Sequence, residues 1–291
     1  MSTVKINYIV SVAAASLPSQ SQSNCADIVR NYLASGSLPL SRSVARVQEL
    51  LNTSEYNAAD LAEHMRTDPT LTARVMAVAN STFFSRQPCA TIADAVNRLG
   101  SAQLARIFAQ VLARASMVTP LRAYAMPSDA LWRNAVYAAV GAEMTAARLG
   151  ADRPGAYMVG LMHQIGSLVV NRLWVQAHNP RCLASTGFAE EYSVDERTRY
   201  GHDQSKFSSE VLTQLSFPEH VVTTVGRQYR KPSTPLAQAL YVGRLARAMA
   251  ASGPRPVPDQ EILLELDLHR PSKLEAFFAD IQAEAQARIS S

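Results

Sequence analysis

Apolar residues recur three and four positions apart along most of the chain, the spacing of a helix that buries one face. The longest example runs through SDALWRNAVYAAVGAEMTAARLG, where residues 131, 132, 135, 136, 139, 140 and 144 are apolar. Ser128 stands at the position of an N-cap and Gly150 where a left-handed C′ residue belongs, so a helix is predicted between them. Asp68-Pro69 is a second start signal, a capping carboxylate followed by proline at the first helical position, and LTARVMAVA continues it. Thr91 opens TIADAVNRLG with Asp94 three residues on; Gly100 closes it and Ser101 begins AQLARIFAQVLARASM. The same period predicts helices over 43–53, 57–66, 154–176, 203–215, 218–230 and 235–251. Two more follow the Pro/Gly-marked SGPRPVP, over 259–268 and 272–288. Strand-like alternation is rare, so the pattern predicts an all-α protein.

Polar stretches at 16–24 and 252–258 read as linkers, and 177–193 as a loop. VTPLRAYAMPS, near 118–128, reads as a weak seam between an N-terminal helical group and a central one. With 291 residues, 47% hydrophobic and 18% charged, the chain can bury a large core. The net charge of +4, from 28 basic and 24 acidic residues, is too slight to imply nucleic acid, which is not an expected partner. Cys25, Cys89 and Cys182 are odd in number and far apart, with no CxxC pair. Neither a disulfide framework nor a zinc knuckle follows, and a reduced cytoplasm is the simplest setting. INYIVSVAAAS (6–16) has a faint likeness to a secretion signal, but only one positive charge precedes it and Asn7 and Ser11 interrupt its apolar run. No stretch reaches the roughly 18 apolar residues of a membrane-spanning helix. A soluble, cytoplasmic protein without a membrane partner is the expectation.

The chain lacks a Gly-rich phosphate loop, a nucleophile elbow and an HExxH. LMHQIG (161–166) poses a sharper question. His followed by Asp at such a place would suggest a divalent-metal site, but here Gln164 follows His163, and a neutral amide oxygen serves a dication far less well than a carboxylate. Asn80, in ANSTFF, reads as the tie of a turn between helices, with Phe83 and Phe84 burying apolar area beneath it. Asp68 reads as a cap worth about 1 kcal/mol, with Pro69 behind it. Trp132 and Trp174 read as core anchors. Arg227, Arg230 and Lys231 share a helix face or its end by their spacing, as do Arg244 and Arg247 on the next helix.

From Leu38 to about residue 250 the sequence resembles the HDOD family, bacterial helical domains related to HD-type phosphohydrolases. The likeness is carried in order by LPLSRSVARVQELL (38–51), DLAEHMRTDPTLTARVMAVANSTFF (60–84) and TIADAVNRLGSAQLARI (91–107). LWRNAV (131–136), AYMVGLMHQIGSLVV (156–170) and YGHDQSKFSSEVLTQLSFPEHVV (200–222) continue it. The resemblance implies a multi-helical fold with an N-terminal subdomain over about 38–120 and an HD-like core over about 128–251. An N-terminal extension of 1–37, partly flexible and too short for a receiver domain, and a C-terminal helical extension of 252–291 complete it. Family members are known mainly as signalling and regulatory modules, often beside receiver, phosphodiesterase or kinase modules.

HD enzymes gather histidines and aspartates around one or two divalent ions that bind phosphate oxygen and acidify a water. By resemblance, the positions of that set here hold Asn134, His163, Gln164, His202, Gln228-Tyr229 and Arg247. Two imidazoles remain, both carboxylates are gone, and a guanidinium at the last position repels a dication. No metal, cofactor or catalytic residue is therefore expected. The plain reading of His163 is a histidine packed in the core and bonded to a neighbour; for His202 it is local hydrogen bonding at a helix start. The same positions suggest a second possibility. His163, His202, Arg227, Arg230, Arg244 and Arg247 could form a metal-free pocket for an anionic ligand such as a nucleotide second messenger, against the plainer reading of a solvated basic face. The expected function is a non-catalytic regulatory module that meets protein partners in a bacterial signalling pathway, a second copy of the chain among the candidate partners. The rival is a metal-dependent phosphohydrolase with a variant ligand set.

Overall fold

The computed structural model describes residues 24–35, 49–51, 57–66, 69–81, 89, 91–178, 181–183, 189–215, 217–250 and 258–290. The signal-like stretch, both linkers short of their last residues, the Asp68 cap, Phe83 and Phe84 lie outside them. Of the helix expected over 43–53, residues 49–51 are described and are helical. The described residues are helical almost throughout, with one isolated bridge between Leu121 and Met126.

Three helices build a small N-terminal core. They are α2 (Ala58–Arg66), α3 (Pro69–Ala79) and the first part of α4 (Ile92–Met117). Leu61, Met65, Leu71, Val75, Val96, Leu104 and Phe108 fill the space between them. The start of α4 is the predicted one: Thr91 and Asp94 form a capping box that satisfies both backbone donors. Gly100 then breaks the helix at φ 70°, a left-handed conformation that glycine adopts without a Cβ clash. Asn80 also acts as expected, its Oδ1 accepting from the Cys89 backbone N–H at 2.6 Å.

The larger core surrounds α5 (Ala130–Leu149). Ala135, Ala138, Ala139, Ala142 and Ala146 are fully buried, so this helix is covered on nearly every side and lets its neighbours approach closely. Against it lie α6 (Arg153–Met162), α11 (Pro235–Ala250) and α13 (Pro271–Ser290). Gly243 of α11 sits so close that a Cβ there would land on the Ala138 carbonyl oxygen. Around this centre run α7 (Gly166–Gln176), α8 (Ala189–Tyr200), α9 (Gln204–Gln214), α10 (Glu219–Gly226) and the short α12 (Gln260–Glu265). A 3-10 turn at Arg122–Tyr124 packs on α7.

Several expectations need correction. Ser128 does not cap α5: Asp129 holds the cap position, without a side-chain bond, while Gly150 ends the helix at φ 62° as predicted. The helix expected over 154–176 is two helices, broken at 163–165. Its apolar period runs unbroken through the turn, which is why the sequence hides it. The helix over 218–230 stops at Gly226, and α8 occupies part of the expected 177–193 loop. That helix is the charged AEEYSVDERTRY, which offers no apolar stripe to read.

The two hydrophobic cores meet inside α4: Phe108 belongs to the first, and Ala109, Leu112 and Met117 to the second. The part of α4 after Gly100 therefore runs through both cores. The terminal extensions join the same core. In α1 (Cys25–Ala34), Val29 and Tyr32 are buried where the helix meets α9. Ile262, Leu263, Phe277, Phe278 and Ile281 of α12 and α13 are buried as well. An ionic junction fastens the end of α13. Glu143 of α5 takes Arg106 of α4 at 2.6 Å and Arg288 at 2.8 Å.

Candidate functional site

The turn that separates α6 from α7 carries His163, Gln164 and Ile165. All three are buried. Gly166 opens α7 against α9 so tightly that a Cβ would strike the Gln204 carbonyl and the Ser208 backbone. This contact brings the Ser208 hydroxyl onto the turn, where it accepts from Gly166 N–H at 2.8 Å and donates to the His163 carbonyl at 3.1 Å. Gln228, from the turn after α10, donates to the same carbonyl at 2.9 Å. Side chains from two other segments thus satisfy an oxygen that an uninterrupted helix would have bonded internally.

The His163 ring is 1% exposed, and its Nδ1–H donates to the Gly160 carbonyl at 2.7 Å. Burial first, then the nearby Arg244 and Arg247 cations, press its pKa down to about 3, against the opposing pull of the Gly160 bond. The imidazole is neutral at physiological pH. This bears out the plain reading of a core histidine bonded to a neighbour. His202 differs from its plain reading: it lies in the turn before α9 and meets Phe207 edge-on at 5.8 Å, with no ring-nitrogen hydrogen bond among the described residues.

The structure divides the six residues proposed for an anion pocket. Arg227, the C-cap of α10, and Arg230 are exposed and point to the solvated-face reading. Arg244 and Arg247 are partly buried, and their charges act on His163. The Arg244 guanidinium stacks on Tyr229 at 4.6 Å and donates to the Gln228 carbonyl at 2.5 Å. Arg247 is partly exposed over its whole length, but its charged end is enclosed enough that burial lowers its pKa. Tyr192, Arg244 and Tyr229 act on that end electrostatically. Asn134 lies partly exposed on α5, without a hydrogen bond or ion pair to His163 among the described residues.

A small cleft, with room inside for about one water, adjoins the turn. Gln164 lines it together with Tyr124, Tyr192, Glu196, Gln204 and Tyr229. The Gln164 Oε1 atom is buried and has no hydrogen-bond partner, an uncommon and costly condition for an acceptor. Sequence reasoning missed Glu196 altogether. It is 0% exposed, accepts from Tyr124 Oη and from Gln204 N–H at 2.6 Å each, and burial lifts its pKa to about 7. Nothing in the charged run DERTRY marks one of its carboxylates as the buried one.

These groups do not suit a divalent ion. Among the described residues no group of three or more His, Cys, Asp or Glu side chains converges on a metal position. The charges that act on His163 are the guanidiniums of Arg244 and Arg247, and its neighbour in the chain offers a neutral amide. Glu196, the carboxylate on the pocket wall, is committed to Tyr124 and the Gln204 backbone. What the arrangement can do is bind through N–H and O–H donors and aromatic faces.

A model of the HDOD domain matches residues 38–231. The chain belongs to the HDOD family. No curated protein sequence matches it. Known structures resemble this HDOD chain over most of its length. An HDOD domain protein of unknown function from Geobacter sulfurreducens is 19% identical, covers 89% of this chain and 96% of its own, and superposes with a TM-score of 0.56. A Shewanella amazonensis protein, described as a candidate phosphohydrolase, is 21% identical over 88% of this chain and 93% of its own, with a TM-score of 0.56. A Marinobacter aquaeolei protein, described as a candidate signal transduction protein, is 20% identical over 91% of this chain and 66% of its own, with a TM-score of 0.54. At these identities the likeness establishes the fold alone. Among the described residues no helix is long and apolar enough to cross a membrane.

Proposed function

We propose that this HDOD chain is a non-catalytic signalling module that passes a state change to protein partners through its helical surfaces, with an anionic, nucleotide-type ligand as its input. One observation carries the reading. The charges of Arg244 and Arg247 act on His163, and by resemblance Arg247 stands where a hydrolase of the related HD type would carry a metal-binding carboxylate. Two fixed cations raise the Coulomb energy of any dication brought between them. Protein partners and a second copy of the chain remain open as targets. The docking of α12 and α13 on their own core makes the other helices the better candidates for contact.

A second reading has one observation in its favour. With Nδ1–H held by Gly160, His163 keeps Nε2 as a lone pair, the tautomer a ligating histidine uses. A metal-dependent phosphohydrolase with a variant ligand set would use that atom. Metal analysis of the purified full chain, paired with phosphodiesterase assays supplemented with manganese, separates the two. The regulatory reading expects far less than one bound metal per chain and no turnover above blank. Stoichiometric metal with manganese-dependent hydrolysis would refute it.

A further inference from the structure

We infer that α8 is a strap across the cleft beside the His163 turn, fastened while the Glu196 carboxyl is uncharged and loosened when it ionises. The reading goes beyond the anionic input proposed above and does not rest on it. The first support is how α8 is held. Among its described side chains, from Tyr192 to Tyr200, the two that are buried are Ser193 and Glu196, both polar, while Val194 is 61% exposed. Tyr192 and Tyr200, each partly buried, supply its apolar contacts. Surface helices ordinarily dock through an apolar stripe, whereas the most deeply buried group of this one is a carboxyl. Glu196 Oε1 accepts from Tyr124 Oη of the 3-10 turn, and Oε2 from the Gln204 N–H at the start of α9, both at 2.6 Å. Two further fastenings are the edge-on contact of Tyr192 with Tyr124 at 5.1 Å and the Arg197–Asp203 ion pair at 2.5 Å. That pair spans Gly201, the left-handed turn (φ 75°) about which α8 swings.

The second support is the set of groups around that carboxyl. The 3-10 turn brings Tyr124, which also bonds the Ser167 side chain of α7. The start of α9 brings Asp203 and Gln204, and Gln204 Nε2 donates to Tyr229 Oη, after α10, at 2.5 Å. From α11, Arg244 acts on Tyr229 and Arg247 on Tyr192, the two tyrosines that line the cleft with Glu196. Within α8 the neighbours are Tyr200 and Arg197, and the Arg197 side chain is half exposed and already holds Asp203. Burial outweighs these influences and lifts the carboxyl's pKa to about 7. When protonated, Glu196 donates to Tyr124 Oη, whose own hydroxyl turns to Ser167, so each polar group keeps a partner. When ionised, it keeps its two donors beside a cleft with room for about one water, and gains full hydration by leaving. Release takes Tyr192 and Glu196 off the cleft wall and uncovers Gln164, Gln204 and Tyr229, a change of surface that a partner can read.

Hydrogen exchange of the full chain, followed peptide by peptide at pH 6 and pH 8 and corrected for the intrinsic pH dependence of amide exchange, tests the strap. With a pKa of about 7 when fastened and 4.5 when released, the open fraction of α8 should rise about tenfold between the two conditions. It should also depend less steeply on urea than the opening of α5, because releasing one helix exposes less surface than unfolding the core. Glu196→Gln, neutral throughout, should change by less than about twofold. A pH-independent α8 in wild type, or an equal rise in Glu196→Gln, overturns the proposal. So does an α8 that exchanges only together with α5 at the same urea slope, which assigns the proton's effect to global unfolding. Should the variant not fold, the wild-type profile from pH 5 to 9 decides. The open fraction should climb to about pH 7 and level off, and a flat or steadily rising profile overturns the strap. Failure here leaves the metal and turnover measurements untouched, so the two ideas fail separately.

Discussion

Replacing Glu196 by glutamine should remove a large part of the protein's pH dependence. The carboxyl is fully buried between Tyr124 and the Gln204 backbone, and burial lifts its pKa from 4.5 to about 7 despite the two hydrogen bonds that favour its ionised form. Asp203 adds to the lift and Arg197 opposes it. The folded chain therefore holds this proton to higher pH than the unfolded chain does. Below pH 4.5 both states are protonated and the group contributes nothing. Between 4.5 and about 7 stability falls as pH rises, and above 7 the full penalty persists. At about 1.4 kcal/mol for each pH unit separating the two values, the penalty is about 3 kcal/mol. Glutamine is neutral throughout, and its amide can accept from Gln204 N–H and donate to Tyr124 Oη. Urea denaturation of wild type and Glu196→Gln at pH 5 and pH 8 reads the effect. The stability difference between the two proteins should move by about 3 kcal/mol in favour of the variant from the lower to the higher pH. Every other titrating group is common to both proteins and cancels. Parallel pH profiles would show that the carboxyl titrates normally and that its burial carries no such cost.

Two further predictions concern the same framework. His163→Asn, which keeps a donor near the Gly160 carbonyl, should flatten the acid limb: with a folded pKa of about 3 against 6.5, wild type loses up to about 4 kcal/mol as pH falls between those values. Denaturation midpoints from pH 7 to 4 check this, and an equally steep limb in the variant would contradict it. Glu143→Gln leaves Arg106 and Arg288 without their shared anion at a site where the Glu143 side chain is 5% exposed. A loss of about 3 kcal/mol is expected in thermal or urea melts, with Arg288→Gln added to it costing less than the two separate losses combined.

The helices were legible because their evidence is local. The Thr91–Asp94 capping box, the Gly100 break and the Gly150 stop depend on residues within a few positions of one another, and each stands where the sequence put it. The family resemblance was legible for a related reason: its motifs keep their order along the chain, and the HDOD match over 38–231 agrees. Local reading failed where a polar helix had no apolar stripe, as in α8, and where an apolar period ran unbroken across a turn, as at His163.

By itself the sequence determined that the chain is helical and where most helices start and stop. Tertiary structure decided which polar groups leave water. Arg227 and Arg247 are the same residue type on neighbouring segments, yet one is exposed and the other is buried enough at its charged end that its pKa falls. Glu196 and Asp195 are adjacent, yet one is wholly buried and the other rests in a partly exposed ion pair. Burial sets the charge state and partners of an ionisable group, and it depends on helices brought together from distant parts of the chain, which a single helix's pattern does not encode.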